Sequence, residues 1–299
     1  MKQPVVSIIT LNWNGKEYTK QCIESIAENT AREKYELIIV DNGSTDASIE
    51  MLEEMKRKKL VDTVILNSEN RGFAGANNQG MKIAKGKYLF LLNNDTLLEK
   101  NWLENLCRTA ESSGKIGILG TDLPSGENSN EGFGGGFIDD KGIARHSYRN
   151  EEGPAEQVGG AAFFIKRNVF EKIGFLDEGY NPIYFEESDY CARARKAGFE
   201  VWHTPKVRII HFGSAIVKKQ AGKWSFVTLN KNRVRFMLLH FSKTRLLKGF
   251  FWEFLRIIKN IFTLKAHWLF EAYLINLGNF PEIIEKRKRY AKGNLMVMP

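Results

Sequence analysis

The sequence predicts an α/β fold, a mostly parallel central sheet covered by helices and followed by a helical C-terminal appendage. Over the first 120 residues, short β-branched runs alternate with polar segments of helical period, the pattern of βαβ units. Polar motifs recur where those runs end, the edge at which open α/β sheets bind ligands. From about Trp224 onward the periodicity is helical only, with no internal repeat or low-complexity stretch.

Strands are predicted at 5–11, 36–41, 63–66, 87–92 and 116–120, with helices at 19–28, 47–59, 75–84 and 102–112 between them. The segment 124–142 is rich in Gly, Asn and Asp and reads as an irregular loop, either a lid over the site or a tolerated surface insertion. Beyond it come a strand at 158–165, helices near 168–173 and 189–197, and short strands at 200–203 and 207–211. With 299 residues and 43% hydrophobic content the chain can bury a substantial core, which argues against disorder. Cys22, Cys107 and Cys191 lie far apart with no Cys-x-x-Cys pair, so neither a disulfide framework nor a structural zinc site is expected, and a reducing cytoplasm fits. Residues 1–10 read as the first strand and not as a signal peptide. The net charge of +9 is uneven: residues 218–299 hold 17 Lys and Arg against 4 acids, leaving 1–217 at −4. A division at 217/218 into an α/β domain and a basic helical region is expected, and a basic tail suits an anionic surface, membrane or nucleic acid.

Five features carry chemistry. Asp41, in Val40-Asp41-Asn42-Gly43-Ser44-Thr45-Asp46, ends the second strand; it reads as an acceptor for a pyrimidine imide N–H or as part of a turn and helix cap. Asn70-Arg71-Gly72-Phe73 with Asn77-Asn78-Gln79-Gly80 forms a Gly-rich loop opening into a helix whose N–H groups can face an anion, although no dinucleotide or P-loop fingerprint is present. Asn93-Asn94-Asp95-Thr96 puts a carboxylate at a strand end, either a Mg²⁺-type ligand beside substrate phosphates or an Asx cap. Glu186, Glu187 and Asp189 crowd three acids into four residues among aromatics; repulsion and desolvation raise at least one pKa toward that of a general base, unless the acids only complement a helix dipole. His211 follows an apolar strand as a metal ligand or a core histidine.

In this order and spacing the residues resemble the family 2 glycosyltransferases of the GT-A fold, particularly the rhamnosyltransferase-like branch, over residues 4–215. Ser7-Ile8-Ile9-Thr10-Leu11-Asn12-Trp13-Asn14-Gly15 resembles the first strand and nucleotide-contacting turn. The resemblance implies nucleotide contacts by Thr10, Asn12, Asp41, Gly72, Asn78 and Asn94, and a metal motif at Asp95 with His211 completing the site in some relatives. It implies acceptor or supporting roles for Gly160, Glu186 and Asp189, and a catalytic base at Glu187. Two departures stand out: Asn93 replaces the first acid of the metal motif, and Glu187 stands where many relatives have Asp.

The implied activity is inverting, Mg²⁺- or Mn²⁺-dependent transfer of a sugar, with L-rhamnose favoured, from a dTDP or UDP carrier. The implied acceptor is a glycan hydroxyl on a polyprenyl-linked intermediate of cell-surface polysaccharide synthesis. A nucleotidyltransferase is the first alternative, but Asn12-Trp13-Asn14-Gly15 stands where its Gly-rich basic signature belongs. A nucleic-acid-binding protein is the second, and no base-stacking or groove-reading motif supports it, so no nucleic acid is expected. Residues 249–264 carry an apolar helical face too short and too charged to span a bilayer. Peripheral binding to the inner face of the cell membrane is expected, the alternatives being packing on the catalytic domain or in a homo-oligomer.

Overall fold

The computed structural model describes residues 3–126, 134–147, 151–213 and 222–298. The first half alternates as the periodicity predicts: β1 (Val6–Asn12), α1 (Lys16–Asn29), β2 (Tyr35–Asp41), α2 (Ser48–Arg57), β3 (Thr63–Leu66), α3 (Gly72–Ile83), β4 (Tyr88–Asn93), β5 (Thr96–Leu98), α4 (Trp102–Glu111) and β6 (Ile116–Asp122). There follow β7 (Gly135–Ile138), β8 (Ala144–Ser147), β9 (Gly153–Ala155), β10 (Gln157–Val158), β11 (Ala162–Lys166), α5 (Arg167–Ile173), α6 (Glu186–Lys196) and β12 (Glu200–His211).

The main sheet runs β3-β2-β1-β4-β11-β6-β12-β5, with β9 added on β12. It is parallel from β3 to β4 and becomes mixed at β11, which is antiparallel to both β4 and β6. Strands β1, β2 and β4 are nearly continuous apolar runs because both faces are covered. Alternate residues serve opposite layers: Ile9, Ile38 and Leu91 face α3, α5 and α6, whereas Ile8, Leu37 and Phe90 face α1, α2 and α4. The register sets Asn12 beside Asp41 and Leu11 beside Asn93, so the polar motifs share one carboxyl edge.

Three expectations change. The strand expected at 158–165 is split into β10 and β11 around Gly159 and Gly160. The two strands expected at 200–211 are one strand, irregular between Thr204 and Arg208, where Pro205 lacks a donor for the ladder. Within the segment read as irregular, Gly135–Ile138 is a strand in a three-stranded sheet, β10-β7-β8. Its glycines permit the approach: a Cβ at Gly134 would lie 2.0 Å from the carbonyl oxygen of Thr121. The tip of the proposed lid, 127–133, lies outside the described residues.

The C-terminal helices are α7 (Lys223–His240), α8 (Lys243–Asn260), α9 (Leu264–Gly278) and α10 (Phe280–Ala291). They do not form a body apart. Phe236, Met237 and Leu239 of α7 and Ile283 and Tyr290 of α10 are buried in the same cluster as Ile9, Leu91, Phe163 and Tyr190. The charge step at 217/218 is therefore not a packing boundary, and part of the tail's basicity is structural. Arg235 is buried against Asp177 and bonds both oxygens of Glu282, and Arg287 donates to the Phe241 carbonyl at 2.7 Å. Among the described residues, no helix is long and apolar enough to cross a membrane.

Candidate active site

At the carboxyl edge of β1 and β2 a closed hydrogen-bond network replaces the expected open nucleotide contacts. Asp41 is fully buried; one oxygen accepts from Asn12 Nδ2 at 2.7 Å and the other from the Ser44 amide at 2.9 Å. Asn12, also buried, completes its bonds to Ser44 Oγ and Thr19 Oγ1, and Thr10 lies wholly inside the sheet. All three are buried in this conformation, and Asn12 and Asp41 hold Ser44 of the turn at 42–46 from beneath. Asn94, partly exposed, joins the network by donating to Thr19 Oγ1 at 2.8 Å and borders Gly15, where a Cβ would meet it at 2.6 Å.

The loop before α3 is likewise spent on the protein. The amides of Arg71 and Gly72 donate to the side-chain oxygens of Asn42 and Asn70, and the Phe73 amide donates to the Pro182 carbonyl at 2.8 Å. In this structure these N–H groups are bonded to protein acceptors. Asn78 accepts from the Leu176 amide and donates to the Leu176 carbonyl and Glu178. Gly72 and Asn78 thus clamp the segment 176–184, which leads directly into the acidic motif.

That motif opens α6. Tyr184 and Phe185 take positive φ values of 84° and 74°, an unfavourable backbone for side-chain-bearing residues that over-determined functional sites tend to hold. The strained turn places Glu186 and Glu187 in the first turn of α6. Burial pushes the Glu187 carboxyl up to about 7. Glu186 is raised well above the carboxylate range, first by burial and then by the Glu187 charge, and its Oε2 has no hydrogen-bond partner among the described residues. Glu187 lies against Gly160, where a Cβ would sit 3.5 Å from its Cγ, so the glycine keeps the space beside the carboxylate open. Asp189 faces the core, where it supports the start of α6. It pairs with Arg193 at 2.7 Å and His240 at 2.7 Å. Although burial acts to raise its pKa, those partners hold the carboxyl far below its usual range.

The β4 edge connects this base to a second pair of side chains. The Asn93 amide donates to the Ala161 carbonyl at 2.9 Å, one residue from Gly160. Asp95 Oδ1 lies 3.2 Å from His211 Nε2, and Asn93 Nδ2 lies 3.5 Å from the same nitrogen. Antiparallel pairing of β5 with β12 sets His211 opposite Thr96 and makes this meeting. A carboxylate oxygen and an imidazole nitrogen facing each other are donors that a divalent cation accepts, and they would hold one together with substrate phosphates. No cluster of three or more His, Cys, Asp or Glu suited to a metal occurs among the described residues, so protein ligands alone would not enclose it.

The profile of glycosyl transferase family 2 matches residues 7–174, more than half of the chain. The chain belongs to glycosyl transferase family 2. Among family relatives, it is 33% identical over 110 residues to a putative glycosyltransferase, EpsH, of Bacillus subtilis, covering 37% of this chain and 31% of that protein. It is 27% identical over 230 residues to the O-antigen biosynthesis protein RfbC of Myxococcus xanthus, covering 71% of this chain and 18% of that protein. An uncharacterized protein, y4gI, of Sinorhizobium fredii is 27% identical over 231 residues, 71% of this chain and 25% of its own length. The chain thus spans a third or less of these relatives. Two solved structures share the fold. GalNAc-T7 with UDP, GalNAc and Mn²⁺ superposes with a TM-score of 0.64 at 19% identity, covering 80% of this chain and 48% of that one. The mannosyltransferase PcManGT from Pyrobaculum calidifontis, with GDP-Man and Mn²⁺, gives 0.58 at 14% identity, covering 94% and 76%. The fold is GT-A.

Against this family 2 frame, several supporting residues had not been singled out. Asn14 Oδ1 accepts from the amides of Thr45 at 2.7 Å and Asp46 at 3.3 Å. Asn42 ties together Asn67, Asn70 and Gly72. Arg193, fully buried, binds Asp189 and the carbonyls of Ile173 and Phe175. The Asx-rich turns were a composition signal for the first two, but partners 25 or more residues away gave none.

Proposed function

We propose that this chain is an inverting glycosyltransferase that moves a sugar from a nucleoside diphosphate onto an acceptor hydroxyl, with Glu187 as the base. The observation that carries the reading is the Glu187 carboxylate, raised to about 7 at a strained helix start and set against Gly160, whose neighbour Ala161 accepts from the Asn93 amide of the strand that leads to Asp95. As the acceptor oxygen attacks the anomeric carbon, Glu187 takes its proton and the bond to the diphosphate breaks, releasing nucleoside diphosphate. Glu186, beside this base, is raised well above its usual value by burial and by the Glu187 charge, which favours its neutral form. Asp95 and His211 would hold Mg²⁺ or Mn²⁺, which supplies positive charge against the leaving diphosphate.

Asp41 is enclosed in this structure, so the carrier base is left to experiment. dTDP-L-rhamnose and UDP sugars, the donors favoured by sequence, head the panel to be tested. The O-antigen relative supports a glycan acceptor in polysaccharide synthesis, and the exposed apolar faces of α8 and α9 support a lipid-linked one used from the membrane surface.

Incubating each nucleotide sugar with Mg²⁺ or Mn²⁺ and measuring nucleoside diphosphate release is the direct test. One donor class is expected to be consumed with inversion at the anomeric carbon. Asp95→Asn should weaken the metal dependence by ~10-fold or more. Retention of configuration would remove the single-displacement reading, and metal-independent turnover would remove the Asp95–His211 site.

A further inference from the structure

Beneath α8 lies a cavity of about 230 Å³ lined by Lys141, Arg233, Arg256 and Lys259 against a single acid, Glu253, and bordered by Trp252 and Leu255. Arg233 is only 4% exposed; its Nη2 pairs with Glu253 at 2.7 Å, while its buried Nε has no hydrogen-bond partner among the described residues. Its Nη1 donates to the Lys141 carbonyl, so the guanidinium is fixed at the cavity wall, where its charge adds to that of Lys141, Arg256 and Lys259 and favours an anion in the cavity. Glu253 is already shared, bonding Arg233 and Tyr273 and lying 3.6 Å from Arg256, so it cannot balance the remaining cations. Burial and the adjacent Arg233 charge depress the Arg256 pKa, the mark of cations crowded without enough counter-charge. Lys141 stands 4.0 Å over the Trp252 ring, and no ion pair engages Lys259 among the described residues.

Two wall residues, Trp252 and Leu255, also belong to the apolar surface that α8 exposes through Phe251, Phe254 and Ile258. A ligand filling this place would be anionic at one end and apolar beside it. We infer that the cavity between α7, α8 and the β7–β8 turn binds the phosphate of an anionic glycerophospholipid whose chains lie along the exposed face of α8. The site is separate from the catalytic edge, since Asn232, on another side of α7, holds the Tyr184 carbonyl at 3.0 Å before the acidic motif. The inference deepens the membrane part of the proposed function and does not depend on the catalytic part.

The test is flotation of the full chain, without donor or metal, on phosphatidylcholine vesicles with and without phosphatidylglycerol. Binding is expected to be at least ~10-fold stronger with phosphatidylglycerol and to fall to the phosphatidylcholine level in Lys141→Gln/Lys259→Gln. The charge-matched pair Lys288→Gln/Lys292→Gln, on the exposed side of α10 and its C-terminal turn, is expected to bind like the wild type. Unchanged binding by the cavity variant, or an equal loss in the control, overturns the site in favour of bulk charge. Stabilisation by inorganic phosphate in the wild type alone, with no preference for phosphatidylglycerol, assigns the cavity to a free anion and overturns the lipid. Sugar transfer to a soluble acceptor by the cavity variant is expected at the wild-type rate. Its loss would count against the separation of the two sites, whereas failure of vesicle binding with transfer intact leaves the glycosyltransferase reading standing.

Discussion

In the proposed mechanism Glu187 serves as the base because burial penalises its ionised form and raises its pKa. Desolvation lifts its pKa from 4.5 to about 7, and Glu186 is raised well above its usual value by burial first and by the neighbouring Glu187 charge second. A base works in its deprotonated form, so kcat/KM is expected to rise with pH as a one-proton limb centred near 7 and to level off above it. Glu187→Gln should lower transfer by at least ~10³-fold with donor affinity nearly unchanged and the limb lost. Stability follows a definite sign: an acid whose folded pKa lies above its unfolded value stabilises fully below 4.5 and loses that contribution as pH rises through about 7. The variant should therefore melt higher than the wild type at pH 8 and not at pH 4, as read by calorimetry. A limb centred near 4.5, or wild-type turnover by the variant, would take the base role away from Glu187. The raised pKa was legible in the sequence, since three acids among aromatics imply desolvation. The division of labour was not, because Arg193 and His240, which remove Asp189 from the chemistry, act through contacts that spacing does not encode.

At the scale of elements, long buried runs such as 36–41 and 87–92 announced themselves as strands, whereas the three-residue strands β5 and β9 are too short to carry a period. The Gly-rich loop is legible as a motif, whereas its bonds to the protein itself depend on partners far away in sequence. Helix α3 props the segment 176–184, and Gly72 is the tightest point of the contact: its φ is +72°, and a Cβ there would lie 2.0 Å from Asn181 Oδ1 and 2.9 Å from the Pro182 carbonyl oxygen. The exposed Asn181 side chain can swing aside, but the backbone carbonyl cannot without moving the turn that sets Glu187. Gly72→Ala is expected to cost ~2 kcal/mol of stability in denaturant unfolding, from the left-handed backbone and the clash together. It should lower kcat more than it raises KM for the donor, because it shifts the base and not a nucleotide contact. A rise in donor KM with kcat unchanged would instead restore Gly72 to the nucleotide site expected from the sequence.

Over the whole molecule, the C-terminal helices divide their faces between the core and the exposed surface. Helices α7 and α10 complete the core, so truncating the tail would remove Phe236, Met237 and Ile283 and confound binding with unfolding. Helix α8 instead leaves Phe251, Phe254 and Ile258 more than half exposed, and the chain-facing alternative considered for residues 249–264 leaves this surface uncovered. Exposed side chains contribute little to folding, usually within about 0.5 kcal/mol each, whereas half-burying three of them in a bilayer interface contributes ~3 kcal/mol at the usual transfer coefficient. Phe251→Ser/Phe254→Ser/Ile258→Ser is therefore expected to keep the wild-type melting temperature within a few degrees and to lower vesicle partitioning by ~100-fold, measured by flotation. Salt should act differently on the two surfaces: raising ionic strength weakens the basic contribution in the wild type and leaves the residual apolar binding in place. If the wild type elutes as an oligomer that the triple variant converts to a monomer, and neither partitions onto vesicles, the face is a contact between copies of this chain and the acceptor is met in solution.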